Sequence, residues 1–276
     1  MFKQGIVLLS VCLAIFLAFT GCRHRKDDIS TPPPPPPPLP VNDNYLVKTI
    51  SLNGIVKDSL VYANGRISEQ WQFSSSYYYC YKFSYDINDR LILSICSSNS
   101  GISIKDSLKW SADKVLSYVT FSAGGVIQHY DTTLFKMDES RRLTGYFFKD
   151  TTNVPSPKVN DFWEGAFKGN NLVSSFWRRK NGNFSNDEIF TLEYGRLGNP
   201  LAKYLRNNPL SALAMLGNYG PFMLSDYNMT KMKSPNGEST ISADATNFPG
   251  TENILTQTIR EGNNTKTITY SYVPKP

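Results

Sequence analysis

The chain runs to 276 residues, with 29 Lys and Arg against 23 Asp and Glu for a net charge of +6. Its bases are spread along the sequence rather than clustered, which excludes a nucleic-acid partner. Aromatic residues make up 13%, with 16 Tyr and 16 Phe, and Ala-rich helical windows are scarce, so the composition fits β-sheet.

The opening MFKQGIVLLSVCLAIFLAFT carries Lys3 and then an apolar run of 14 residues, Ile6 to Phe19. That is shorter than the roughly 20 residues that span a bilayer, so residues 1–21 are predicted to be a signal peptide. The run ends in Phe19-Thr20-Gly21-Cys22, which resembles the lipobox of bacterial lipoproteins, with Phe19 standing where Leu is usual. The resemblance implies that the Cys22 thiol takes a diacylglyceryl group and becomes the acylated N-terminus. Such chains hold a protein on a membrane at about 0.8 kcal/mol per buried methylene. An uncleaved anchor with an incidental cysteine is the other reading. RHRKDD follows, and Lys26-Asp27-Asp28, close behind an acylated cysteine, is similar to the surface-export signal of Bacteroidetes lipoproteins. The plainer reading is a solvated charged spacer, which would leave the protein facing the periplasm. The tract TPPPPPPPLP, Thr31 to Pro40, favours polyproline II at about 3.1 Å per residue and reads as a stiff stalk of roughly 25–30 Å. A proline-rich ligand for a recognition groove is its alternative. Residues 22–44 are thus lipidated tail and stalk, and residues 45–276 one β-rich domain.

Within that domain Cys80 and Cys96 enclose YKFSYDINDRLILSI, two alternating runs around a turn at Asp86 to Arg90. A turn centred on Asn88 pairs Tyr85 with Leu91, Phe83 with Leu93 and Tyr81 with Ile95, keeping the apolar residues on one face. It also sets Cys80 opposite Cys96 on the other face, within disulfide reach at a non-hydrogen-bonded pair. A register slip of two residues would leave two free thiols.

The same order of residues recurs: an aromatic, a turn of Asn, Asp or Gly, a base, then an aliphatic. YANGRI, YDINDRL and WSADKV place Arg66, Arg90 and Lys114 at a spacing of 24, and KDSLVYANGRIS matches KDSLKWSADKVL at an offset of 48. Each copy is a β-hairpin, because Asn-Gly and its relatives supply positive φ between alternating flanks. A lone hairpin is marginal, so about eight in series are expected to pair side by side into one antiparallel meander. The base after each turn reads as a solvated gatekeeper at the sheet rim. These motifs are similar to YD or Rhs-type repeats. With the lipoprotein start, the chain resembles Bacteroidetes surface lipoproteins that carry degenerate copies, a group known as a domain of unknown function. The resemblance implies a large curved antiparallel sheet and an Asn-Pro-rich segment late in the chain, and it brings no catalytic residues. That segment, Leu197 to Gly220, holds the clear helix signal: Asn208 as cap, Pro209 in the first turn and Gly217 at the C′ position. Its Leu210, Leu213, Ala214 and Leu216 are expected to plug the open side of the curved sheet, with a ligand-gating lid as the alternative.

No catalytic constellation emerges, and the chain is read as no enzyme. His129 stands alone on a predicted strand without a GxSxG elbow, two histidines are too few for a zinc site, and no glycine-rich phosphate loop is present. No metal or cofactor is expected. Asp-Ser/Thr steps at Ser59, Ser107, Thr132 and Thr151 resemble the acceptors of Bacteroidetes protein O-glycosylation. Tyr77, Tyr79, Trp71 and Trp110 are candidate ligand-contact aromatics, or sheet-stabilising ladders. The function expected is non-catalytic binding or adhesion at the outer membrane surface, to a glycan or an envelope protein. One rival is a carrier of lipid or another hydrophobic ligand in a cavity closed by the late helix. The other is a hydrolase with carboxylates distant in sequence.

Overall fold

The computed structural model describes residues 44–150, 158–181, 184–233 and 240–275. The signal peptide, Cys22, Lys26-Asp27-Asp28, the polyproline tract and Thr151 lie outside them. Among the described residues sixteen strands follow one another: β1 (Tyr45–Leu52), β2 (Ile55–Ala63), β3 (Arg66–Phe73), β4 (Tyr78–Tyr85), β5 (Leu91–Ser98), β6 (Ile102–Trp110), β7 (Lys114–Ala123), β8 (Val126–Met137), β9 (Leu143–Asp150), β10 (Lys158–Lys168), β11 (Asn171–Asn181), β12 (Phe184–Gly198), β13 (Tyr227–Lys233), β14 (Thr240–Asn247), β15 (Ile254–Glu261) and β16 (Asn264–Pro274). Each pairs antiparallel with its sequence neighbour, as the hairpin grammar predicts, and β1 pairs with β16, so the meander closes into a barrel. The turns obey local chemistry. Asn53-Gly54 and Asn64-Gly65 take positive φ at both positions, 52° and 80° in the first and 52° and 75° in the second, the backbone that a two-residue hairpin needs.

Alternation separates an inner from an outer wall. On β6 and β7, Ile104, Asp106 and Leu108 face inward opposite Phe121, Val119 and Ser117, while Lys105, Ser107 and Lys109 face out opposite Thr120, Tyr118 and Leu116. On β14 to β16 the outer wall is Ser242, Asp244 and Thr246, then Thr256, Thr258 and Arg260, then Thr265, Thr267, Thr269 and Ser271. Hydroxyls bond across it, Thr246 to Thr256 at 2.6 Å and Thr49 to Ser271 at 2.5 Å. No described helix is long and apolar enough to cross a membrane.

Between β12 and β13 the chain turns into the barrel as α1 (Ala202–Leu205), α2 (Pro209–Tyr219) and a 3-10 turn over Pro221–Leu224. The core forms where this insert meets one end of the strands. Leu201, Leu205, Met215, Leu216 and Met223 pack with Ile67, Leu91, Val115, Leu143 and Leu172, all at most 2% exposed. Those last five are the first aliphatic or apolar positions after successive turns, so the sequence repeat lays down a ring of core side chains. Asn208 caps α2 as expected, its Oδ1 accepting from Ser211 N at 3.0 Å. The helix does not stop at Gly217: it continues to Tyr219, and Gly220, at φ 121°, ends it.

The expected Cys80–Cys96 bridge is corrected by the register. Tyr85 pairs with Leu91 as predicted, but a bulge at Ile92 makes Ser84 the partner of Leu93. One extra residue moves every later side chain to the opposite wall. Tyr81 therefore pairs with Cys96, inside, and Cys80 with Ser97, outside, and both thiols are free and buried.

Candidate functional site

The closed end of the barrel is organised by the repeat. The aromatic before one turn donates to the carbonyl of the aliphatic after the previous turn: Tyr85 Oη to Ile67 O and Trp110 Nε1 to Leu91 O, each at 2.7 Å, and Tyr194 Oη to Leu172 O at 2.6 Å. Tyr272 Oη donates likewise to Ile254 O. The arginine after three of the turns lies over the next aromatic, with Arg66 above Tyr85 at 5.4 Å, Arg90 above Trp110 at 6.0 Å and Arg142 above Phe167 at 4.3 Å, whereas Lys114 is exposed. Arg90 and Arg142 are also held by Asp86 and Asp138 of their own turns. These three arginines thus tie neighbouring hairpins together, while Lys114 alone of the repeat bases Arg66, Arg90 and Lys114 stays on the solvated rim that the sequence suggests.

The insert is pinned to this rim and to the inner wall. Leu91 N donates to Asn207 O, Asn207 N to Arg141 O, and Asp226 N to Asn170 O, so three turns hold it by backbone alone. Deeper in, Asn208 Nδ2 donates to Tyr85 Oη and Ser211 Oγ to Gln70 Oε1, both at 2.9 Å. Asp58, fully buried, accepts from Gln70 Nε2 at 2.8 Å on one oxygen and from Tyr219 Oη on the other. Burial raises the Asp58 carboxyl above its ordinary value, and the bonds from Tyr219 and Gln70 oppose that rise.

α2 is about 16 Å long at 1.5 Å per residue, against roughly 26 Å for an eight-residue strand, and on each side it leaves space in the lumen. On the β3–β6 side a cavity of about 330 Å³ lies between Leu210, Leu213, Ala214 and Asn218 of α2 and Gln70, Gln72, Tyr81, Phe83, Ile104 and Asp106 of the wall. A second of about 330 Å³, sharing Gln72 and Asn218, adjoins it and is lined by Leu52, Lys57, Phe73, Tyr77 and Tyr79 towards the end opposite the core. Across the helix, Met229, Met232, Ile241 and Ile259 line about 170 Å³ more. Asp106 is 7% exposed, and its Oδ1 accepts from Ser117 Oγ at 3.1 Å. Burial pushes its carboxyl up to about 6, with the Ser117 bond opposing. The cavity can take a body that is largely apolar and carries one or two polar groups.

Of the aromatics singled out in the sequence, Tyr77 and Tyr79 line the outer cavity. Trp110 is spent on the rim network, and Trp71 faces out, its Nε1 donating to Glu69 Oε2 at 3.2 Å. The side chains of His129 and Trp177 are outside those described. Ser59, Ser107 and Thr132 face outward from paired strands, while Asp58, Asp106 and Asp131 before them face the lumen and are buried. Sequence reasoning read those acids as half of a glycosylation motif and missed them as lumen residues. The signal was present in IKDSLKW: Asp106 falls on the apolar face between Ile104 and Leu108, a place where a charge is costly.

The fold and cavities define a plugged antiparallel β-barrel with a partly apolar lumen and an outer wall that is polar on β14–β16. No family model and no curated protein matches the chain. Among solved structures it is similar to a porin-like protein from Bacteroides uniformis, at 14% identity over 82% of this chain and 96% of that one, with a TM-score of 0.39. A porin-like protein from Bacteroides vulgatus is similar at 12% identity over 83% and 99%, with a TM-score of 0.38. At that level the likeness says nothing about what this chain binds.

Proposed function

We propose that the chain is a lipid-anchored protein of a bacterial outer membrane, attached through Cys22 and displayed outward, whose barrel holds a small amphipathic molecule without transforming it. The observation that carries this reading is the cavity of about 330 Å³ between α2 and β3–β6, where Leu210, Leu213 and Ala214 face Tyr81, Phe83 and Ile104. The Ser, Thr, Asp and Arg side chains on the outer wall of β14–β16 support a barrel bathed in water and tethered by its acyl chains. A barrel embedded in lipid needs apolar side chains there. Of the two rival classes, the hydrolase has little support, since both oxygens of Asp58 are already engaged. Adhesion draws on a row of outward rings, Phe147 beside Phe162 at 5.6 Å and Phe162 beside Phe176 at 5.3 Å.

The test is native mass spectrometry of the full chain purified from a close bacterial host, beside Leu213→Trp, which fills the cavity. A small-molecule mass retained by the wild type and lost from the variant supports lumenal binding. A wild type that carries nothing and takes up no phenylbutyl probe, neutral or charged, overturns it. For the address, deleting Lys26 to Asp28 should leave the protein acylated but protected from protease added to intact cells; unchanged shaving would refute surface export by that signal.

A further inference from the structure

We propose that the lumenal site selects a cationic amphiphile, a primary or secondary amine joined to an apolar body, with Asp106 receiving the ammonium group; this rests on the lumenal-binding reading above. Three observations converge on it. Asp106 is 93% buried, from an exposure of 7%, and only Oδ1 has a partner among the described residues, Ser117 Oγ at 3.1 Å. Oδ2 is left for whatever occupies the cavity that Asp106 lines. Oδ2 opens to that cavity; an arriving N–H donor replaces the solvent it meets there, whereas a bare hydrocarbon strips that solvent and gives nothing back.

The second observation is the absence of a competing cation. No Lys or Arg is among the described residues lining this cavity, and the wall around Asp106 is Tyr81, Phe83 and Ile104, faced by Leu210 and Leu213. Asp131 stands on the same inner wall, opposite Val119, which is itself opposite Asp106. Among the described residues, an ammonium seated beside Asp106 meets no cation lining this cavity, Lys57 belonging to the adjoining one, and in low dielectric its attraction to the carboxylate is strong. The third is the ring faces. Tyr81 and Phe83 stack at 6.4 Å along the same wall, and such faces favour an ammonium over a neutral or anionic head group. A ligand of this shape would thread through the adjoining cavity, past Tyr79, Gln72 and Asn218.

The experiment compares three probes of one skeleton, 4-phenylbutylamine, 4-phenylbutanol and 4-phenylbutyrate, titrated calorimetrically at pH 7 against the full-length protein in lipid nanodiscs, with empty nanodiscs subtracted. The amine should bind at least tenfold more tightly than the alcohol, and the butyrate more weakly than either. Asp106→Asn, which keeps an acceptor for Ser117, should abolish the amine's advantage while leaving the alcohol's affinity within about twofold. Leu213→Trp should weaken all three. Equal binding of amine and alcohol to the wild type overturns the amine preference and leaves the lumenal site standing. An amine advantage that survives Asp106→Asn overturns the role of Asp106. Binding of none of the probes overturns both the preference and the lumenal site.

Discussion

Asp106 exchanges stability for a charged group in the lumen, and the exchange is readable in pH. Its carboxyl sits near 6 when folded and 3.8 is its ordinary value. The folded form therefore holds its proton more tightly than the unfolded one. Its contribution to stability is complete below about pH 4 and lost as pH rises through about 6. Among the described residues the titratable groups on the wall around it are Tyr81 on β4, Cys96 on β5 and Asp131 on β8, and α2 presents Leu210, Leu213, Ala214, Gly217 and Asn218 on that side, none of them titratable. Ligand-free protein should melt higher at pH 4.5 than at pH 7 in calorimetry. Asp106→Asn should raise stability at pH 7 by about 2–3 kcal/mol and flatten the pH dependence between 4 and 6; unchanged slopes would exclude Asp106 as its source. The two cysteines give a second residue-level prediction. With Cys96 inside and Cys80 outside, alkylation after unfolding without reductant should modify both. Modification only after reduction would mean the thiols had been bridged.

α2 and the repeated hairpins show what is legible at the scale of elements. Asn208-Pro209 announces the helix start because a side-chain acceptor and a fixed φ are local requirements, and Asn-Gly announces a turn for the same reason. Capping here does double duty. Asn208→Ala removes the bond to Ser211 N and leaves Tyr85 Oη without its donor, so it should cost about 2 kcal/mol in urea unfolding. Tyr85→Phe, losing the bonds to Ile67 O and Asn208 together, should cost about the same. If the two deletions act through one network, the double variant will lose clearly less than the sum. What the sequence hides are the bulges. Ile92 looks like any strand residue in RLILSI, yet its insertion turns Cys96 inward and puts Ser94, not Leu93, opposite Phe83. Nothing local marks it. The role of Arg66, Arg90 and Arg142 was equally hidden, because their partners, Tyr85, Trp110 and Phe167, belong to the next hairpin in each case. The lumen site was half visible. The apolar helix face could be read directly, but which wall residues oppose it depends on closure of the sheet.

Over the whole molecule, that closure is the least local fact about the barrel. Thr49 and Ser271 bond across 222 residues of sequence, and Lys275 N donates to Asn44 O at 2.8 Å. Removing residues 264–276 would strip β1 and β15 of a shared neighbour and expose two strand edges, so the truncated protein should aggregate rather than remain a stable open sheet. Sedimentation would show a dispersed monomer if that expectation is wrong. The adjacency of the ends has another consequence, for synthesis. The first strand is made long before its partner exists, and it must wait, one edge unpaired, for the entire chain to follow. A circular permutant that joins residue 275 to residue 44 through a short linker, and reopens the chain at the exposed Gly124-Gly125 turn, would make that slow pairing a hairpin. It should fold faster than the natural order while reaching the same barrel.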